Sequence, residues 1–177
     1  MTIDAAYRYN DNPADALVRV DRSSAVAALL PSDGVLAGGL RDFVGHVAVI
    51  YEAHVAAVTA MIDDVVLTST ARGVTDQFTT PVDATAGSAP YATVILHDAP
   101  MLITDTRDDR RHAGNRLIMA SDMRSYAGVP LPVGNRSAGT LCVMDERPFA
   151  FNDEDLHALQ SLAVHAVRLL HDTRHGG

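Results

Sequence analysis

Ser125-Tyr126-Ala127-Gly128-Val129-Pro130-Leu131-Pro132-Val133, followed by Gly134-Asn135-Arg136-Ser137 and then by Thr140-Leu141-Cys142-Val143-Met144, reads as two strands joined by a turn. Both runs are short and apolar and are bounded by turn residues. Pro130 and Pro132 each remove one ladder donor from the first strand. Downstream lies the clearest helix of the chain. Asn152 can cap it, Asp153, Glu154 and Asp155 favour its positive end, and Phe151 can staple onto Leu156. Its apolar positions, Leu156, Leu159, Leu162, Ala163, Ala166, Val167, Leu169 and Leu170, fill an arc of about 160°, wider than the roughly 100° of one core-facing stripe. The surplus asks for a second partner, with Leu162 and Leu169 at a dimer seam.

Upstream of the strand pair, Leu29, Leu30, Val35, Leu36, Leu40, Phe43, Val44 and Val47 recur at helical spacing, with a break near Pro31 to Asp33 and a cap at Ser32 or Asp33. His54 to Ile62, Asp63-Asp64 and Val65 to Thr70 read as a hairpin. Pro81 to Pro90 is a connection. Thr93 to Leu96 and Met101 to Thr104, either side of His97-Asp98, fit two strands or a helix and a strand equally well. Asp105 to Arg124 is a long polar loop with one short helix around Leu117, Ile118 and Met119, and such loops often carry function. The order is α+β, with antiparallel strands and helices packed on the sheet.

The chain of 177 residues suits one domain, 47% of it apolar, and no apolar run is long enough to span a bilayer. Residues 1–21 are expected to be a loose arm, 22–172 the domain and 173–177 a tail. Met1 to Pro13 lacks the pattern of a signal peptide, and Cys142 as sole cysteine fits a reducing compartment, so a cytoplasmic location is expected. A formal net charge of -8 argues against nucleic acid as a partner. All 14 basic residues are arginine.

The stretch Arg124-Ser125-Tyr126-Ala127-Gly128-Val129-Pro130-Leu131, then Gly139-Thr140-Leu141-Cys142-Val143-Met144-Asp145 and Pro148, resembles a recurring pattern of GAF domains. That family carries Arg-Phe-Tyr-Ala-Gly-x-Pro-Leu, then Gly-Thr-Leu-Cys-Val-x-Asp and a terminal helix; Ser125 stands for the phenylalanine. Pro100-Met101-Leu102-Ile103-Thr104-Asp105 with Asp109-Arg110-Arg111-His112 is similar to the family's apolar strand, aspartate and Asp-x-Arg-Phe segment. Ala89-Pro90-Tyr91-Ala92 stands where many relatives have Ser-Phe-Cys-Ala. The resemblance covers roughly Arg22 to His171 and implies a GAF-like, PAS-like antiparallel sheet flanked by helices on both sides. It also implies a homodimer through the terminal helices and a pocket between sheet and long loop.

Asp105 and Arg124, at strand ends facing that implied pocket, are the leading ligand-binding candidates, joined by Arg107, His112 and Tyr126. The loop's arginines could clamp an anion, although Asp108, Asp109 and Asp122 offer them ion pairs in place. Cys142, in an apolar strand, reads as a core residue. Free methionine sulfoxide reductases share the fold and use several cysteines, whereas one thiol cannot close an intramolecular disulfide. The resemblance brings haem into view because some relatives bind it through a histidine, but His157 and His165 lack a third ligand and no metal site is expected. Bilin attachment lacks its pocket-loop cysteine. The lysine-bearing signature of cyclic-nucleotide-binding relatives cannot occur without lysine. No glycine-rich phosphate loop, Gly-x-Ser-x-Gly elbow or catalytic carboxylate pair is present, so no enzymatic role is expected. The reading is a stand-alone sensory or regulatory domain that binds a small molecule and signals through dimerisation or a separate signalling protein. Its alternative is a degenerate scaffold acting only in protein–protein contact.

Overall fold

Strands rich in valine, alanine and threonine with glycine at the turns pair by proximity, and here they build one antiparallel sheet. The structure is a computed structural model that describes residues 38–62, 65–72, 82–83, 89–110, 112, 118, 122–134 and 136–175. In chain order the elements are α1 (Gly38–Ile50), β1 (Val55–Ile62), β2 (Val65–Arg72), β3 (Val82–Asp83), α2 (Pro90–His97), β4 (Met101–Ile103), β5 (Ser125–Val133), β6 (Arg136–Asp145) and α3 (Asp153–His175). The sheet runs β3-β2-β1-β6-β5-β4, with every described pairing antiparallel.

The expected hairpin of β1 and β2 is present. Within the connection expected from Pro81 to Pro90 a two-residue strand, β3, attaches to β2. The ambiguous runs resolve as a helix and a strand: Pro90 starts α2, where a missing backbone donor costs nothing, and Asp98 closes it in the left-handed region. Asp98 Oδ1 then accepts from the Ser137 amide at 2.5 Å, tying the end of α2 to the start of β6. β6 begins at Arg136, earlier than the expected Thr140, because the turn needs little more than Gly134 at φ 59°. Pro130 and Pro132 are tolerated because β4 pairs with Tyr126 to Gly128, and among the described residues no strand pairs with the outer side of β5 beyond them. Residues 1–37, including the expected arm and the Ser32 or Asp33 cap, lie outside the described residues.

Two apolar layers sandwich the sheet. On one face α1 and α3 bury Leu40, Val44, Val47, Leu159, Ala163 and Ala166 against Ala56, Val58, Val129, Leu141 and Val143. On the other, α2 places Val94 against Ala57, Met101, Ile103, Tyr126, Cys142 and Met144. Helices therefore flank both sides of the sheet. α1 ends in a Schellman motif, with the Ala53 amide on Ala48 O at 2.9 Å and Glu52 held at φ 48° where glycine is usual. The cap of α3 is reciprocal: Asn152 Oδ1 accepts from the amides of Glu154 and Asp155 at 2.8 and 3.0 Å, and Asp155 Oδ2 accepts from the Asn152 amide at 2.9 Å. The helix continues to His175.

Candidate functional site

The loop after β4 is held closed at its base by two backbone bonds and one threonine hydroxyl. The Thr106 amide donates to Arg124 O at 2.7 Å, Thr106 Oγ1 donates to Met123 O at 2.7 Å, and the Arg124 amide donates to Asp145 O at 2.8 Å. Within this clasp Arg124 grips Asp105 with two parallel bonds, Nε to Oδ1 at 2.9 Å and Nη2 to Oδ2 at 2.5 Å. The Arg107 amide adds a third donor to Asp105 Oδ1 at 3.0 Å. The hydrogen bond from Arg124, then that from Arg107, pushes the Asp105 carboxyl down to about 2. The Arg124 guanidinium is held still more firmly in its charged form by the same partner.

A cleft of about 520 Å³ opens at this clasp, lined by Thr106, Arg107, Ile118, Asp122, Met123, Arg124 and Glu146. Of the five side chains proposed from sequence, Arg107 and Arg124 line it and Asp105 orients Arg124. Arg124 spends Nε and Nη2 on Asp105, while the exposed Arg107 guanidinium has no hydrogen-bond partner among the described residues. His112 is not on the cleft wall. It is 4% exposed, with Nδ1 3.5 Å from Asp109 Oδ1. Tyr126 is fully buried in the layer beneath α2, and its hydroxyl end lies over Gly128, where any Cβ would fall 2.1 Å from the oxygen.

A second, smaller recess of about 250 Å³ shares Glu146 as a wall and is bounded by Glu52, Ala53, His54, Asp145 and Arg147. Its organiser is Asp145, which sequence reasoning saw only as part of a motif. The carboxylate is 5% exposed and accepts from the Arg147 amide at 2.8 Å, Arg147 Nε at 2.9 Å, Arg147 Nη2 at 3.1 Å and the His54 amide at 3.0 Å. Arg147 chiefly, through its side chain, lowers the Asp145 pKa despite burial. Arg147 also reaches Glu52 O at 3.2 Å, and the neighbouring Tyr51 hydroxyl donates to Asp155 O in the first turn of α3 at 2.7 Å. Polar contacts thus run from the loop base to both helices of the opposite face. The available signal was the Asp-x-Arg spacing of Asp145 and Arg147 right after a strand, where a carboxylate can turn back onto the amide two residues on.

Cys142 is wholly buried with Sγ 3.7 Å from Ala57 O, and burial pushes its thiol up to about 12. Tyr91, across from it on α2, is pushed up to about 12 by the same cause first and by Cys142 second. No set of three potential ligands that could hold a metal ion occurs among the described residues, and no described helix is long and apolar enough to cross a membrane.

A family model described as GAF domain matches residues 16–170. The chain belongs to the GAF domain family. Several solved structures share the GAF architecture. The free methionine-R-sulfoxide reductase of Neisseria meningitidis, solved with its substrate, aligns at a TM-score of 0.67 and 17% identity, covering 97% of each chain. The GAF domain of Acinetobacter phosphoenolpyruvate-protein phosphotransferase aligns at 0.66 and 16% identity, over 95% of this chain and 99% of that one. The type II free methionine-R-sulfoxide reductase of Thermoplasma acidophilum aligns at 0.63 and 13% identity, over 76% and 91%. At these identities the likeness is one of fold. No curated protein sequence matches the chain.

Proposed function

We propose that this GAF domain is a sensory or regulatory module that takes a small anionic or amphipathic ligand in the cleft at the base of the 105–126 loop. The observation that carries this reading is the clasp itself. Asp105 fixes the Arg124 guanidinium in place beside a cleft where the Arg107 guanidinium has no hydrogen-bond partner among the described residues. A pre-oriented arginine binds an anion without first losing side-chain freedom. The Asp145–Arg147 contacts give ligand-induced movement of the loop base a physical link to α1 and α3, through which a homodimer or a separate signalling protein would respond.

A second reading, a GAF scaffold used only for protein contact, is favoured by the filled layer under α2, where Tyr126, Met101, Met123 and Met144 occupy the sheet face. An enzyme of the kind named for two of the structural neighbours ranks third. The sole cysteine is buried and its thiol stays protonated at neutral pH, and a disulfide-forming cycle needs a second thiol.

The test is a thermal-shift screen of metabolites and ions against wild type, Arg124→Ala and His112→Ala. An anionic ligand that stabilises wild type and His112→Ala but not Arg124→Ala supports the cleft. Equal binding by Arg124→Ala removes it.

A further inference from the structure

α1 and α3 lie antiparallel. The rings of Phe43 and His165 are 5.3 Å apart, and further along the Tyr51 hydroxyl donates to Asp155 O at 2.7 Å, so the end of α1 meets the start of α3. Ile50 follows Phe43 by seven residues and shares its side of α1, and Ala158 precedes His165 by seven and shares its side of α3. The methyl of Ala158 is too short to do for Ile50 what the imidazole of His165 does for Phe43. Ile50 is left 63% exposed, with Val49 beside it at 61%. Among the described residues the other large apolar side chain left exposed is Val164, which stands singly, whereas these two are neighbours at one helix end.

The carboxylates around this pair set the sign of the surface. Glu52 comes two residues after Ile50, Glu146 shares the smaller recess with Glu52, and Asp153 and Glu154 stand exposed in the first turn of α3 beside the Tyr51–Asp155 bond. Arg147, on the wall of the same recess, is taken up by Asp145. Glu52 is placed against local preference. It occupies the left-handed position that closes α1, at φ 48°, where glycine is the residue of least strain. It also sets a carboxylate at the negative pole of a helix that has no basic residue in its last turn. Glycine would suit the turn and arginine the pole, so stability does not account for a glutamate there.

We propose that Val49 and Ile50, ringed by Glu52, Glu146, Asp153 and Glu154, are a docking surface for a basic amphipathic helix of a partner protein. The apolar face of that helix covers Val49 and Ile50, and its arginine or lysine side chains meet the carboxylates. The inference rests on the reading of this chain as a regulatory module that acts through a separate protein, and it names the chemistry by which that protein is recognised. A second copy of the chain is the wrong occupant, because its net charge is -8 and a self-complementary contact would set these carboxylates against themselves. Residues 1–37 are unsuited for a related reason, since they carry more aspartate than arginine. Anionic lipid and nucleic acid are repelled by the same sign.

The probe is a fluorescein-labelled synthetic helix built of Leu-Arg-Arg-Leu-Leu-Arg-Arg repeats, with a scrambled peptide of the same composition whose leucines share no face. Anisotropy with the full chain at physiological salt shows saturable binding of the helix, at least about fivefold tighter than of the scramble. Ile50→Ser weakens it by about fivefold or more, and Val164→Ser leaves it unchanged. Glu52→Gly weakens it about threefold and raises the melting temperature by about 2–4 °C, two effects that a purely structural glutamate does not give together. Absence of saturable binding, equal binding of the scramble, wild-type affinity in Ile50→Ser, or weakening by Val164→Ser as large as by Ile50→Ser overturns the proposal. So does a Glu52→Gly protein that melts lower than wild type. A change of mass in light scattering of Ile50→Ser also overturns it, by assigning the pair to a contact between copies. The charged cleft is decided separately, with anionic ligands and Arg124→Ala, so its failure and this one are told apart.

Discussion

Adding one methyl group at three glycines should change stability in opposite directions. Gly139 lies on β6 opposite Ala60, at the centre of the sheet. A Cβ built there falls 1.9 Å from Thr59 O, 3.0 Å from Thr59 C and 3.1 Å from Ala60 Cα, all backbone atoms of the neighbouring strand. Carbon and carbonyl oxygen rest no closer than about 3.3 Å, so β1 and β6 would have to part by roughly 1.4 Å at that point. Such a separation takes a bond of about 2.9 Å well beyond hydrogen-bonding distance. With about two buried ladder bonds lost at about 1–3 kcal/mol each, Gly139→Ala should cost about 2–6 kcal/mol, a large part of the total stability of a domain. Gly39 and Gly45 sit in α1 with nothing within 4 Å of their built Cβ positions. Alanine at either should instead stabilise by about 0.5–1 kcal/mol, because a helical glycine loses more backbone freedom on folding. Urea unfolding of the three variants, with the slopes compared to wild type, reads all of this in one assay. A Gly139→Ala protein within 1 kcal/mol of wild type would refute the close approach of β1 and β6.

Cys142 should react with a thiol reagent only when the fold opens, so labelling in buffer slower than in urea by orders of magnitude is expected; fast native labelling would contradict its burial. Cys142→Ser should lower stability by about 1–3 kcal/mol in a melt, with the fold retained by circular dichroism. Asp105 has a folded pKa of about 2, below the usual carboxylate range, so its contribution is present above about pH 4 and disappears as the pH falls through 2. Acid titration of Asp105→Asn should therefore show a shallower loss of stability in that window than wild type, and identical curves would remove the ion pair from the account. Leu162 and Leu169 are half-buried against the α1–α3 layer, whereas Val49, Ile50 and Val164 are 61%, 63% and 41% exposed. Light scattering at micromolar concentration should show a dimer that Val164→Glu or Leu162→Glu dissociates; a monomeric wild type would refute it.

What was legible in the chain followed from chemistry that acts over a few residues. The Asn152 cap, the αL glycine at 134 and the pairing of β1 with β2 depend on local donors, local dihedral angles and period-2 runs, and each could be read along the sequence. The choice between helix and strand at Thr93 could not, because eight apolar-rich residues fit either period; Pro90 in the first turn and Asp98 at the end settle it in favour of helix. Tyr126 was harder still. β5 is buried on both faces for most of its length, so alternation of apolar and polar residues, which normally tells inside from outside, carries no information there. The loop posed a different problem. Asp105, Asp108, Asp109 and Asp122 are all close enough in sequence to satisfy Arg124, and composition cannot choose among them. The choice is made at Thr106, whose hydroxyl bonds Met123 O and whose amide bonds Arg124 O, bringing residue 105 beside residue 124, and His112 folds back on Asp109. The pairing that sequence treated as competing with a ligand therefore has a second effect. It holds one guanidinium still at the mouth of a cleft whose wall also carries the exposed Arg107, two residues from Asp105. If the clasp were only structural, Asp105→Asn and Arg124→Ala would be equivalent. If it is a holder for a binding arginine, removing Asp105 should loosen the site while leaving a cation in it, so ligand affinity should fall less in Asp105→Asn than in Arg124→Ala.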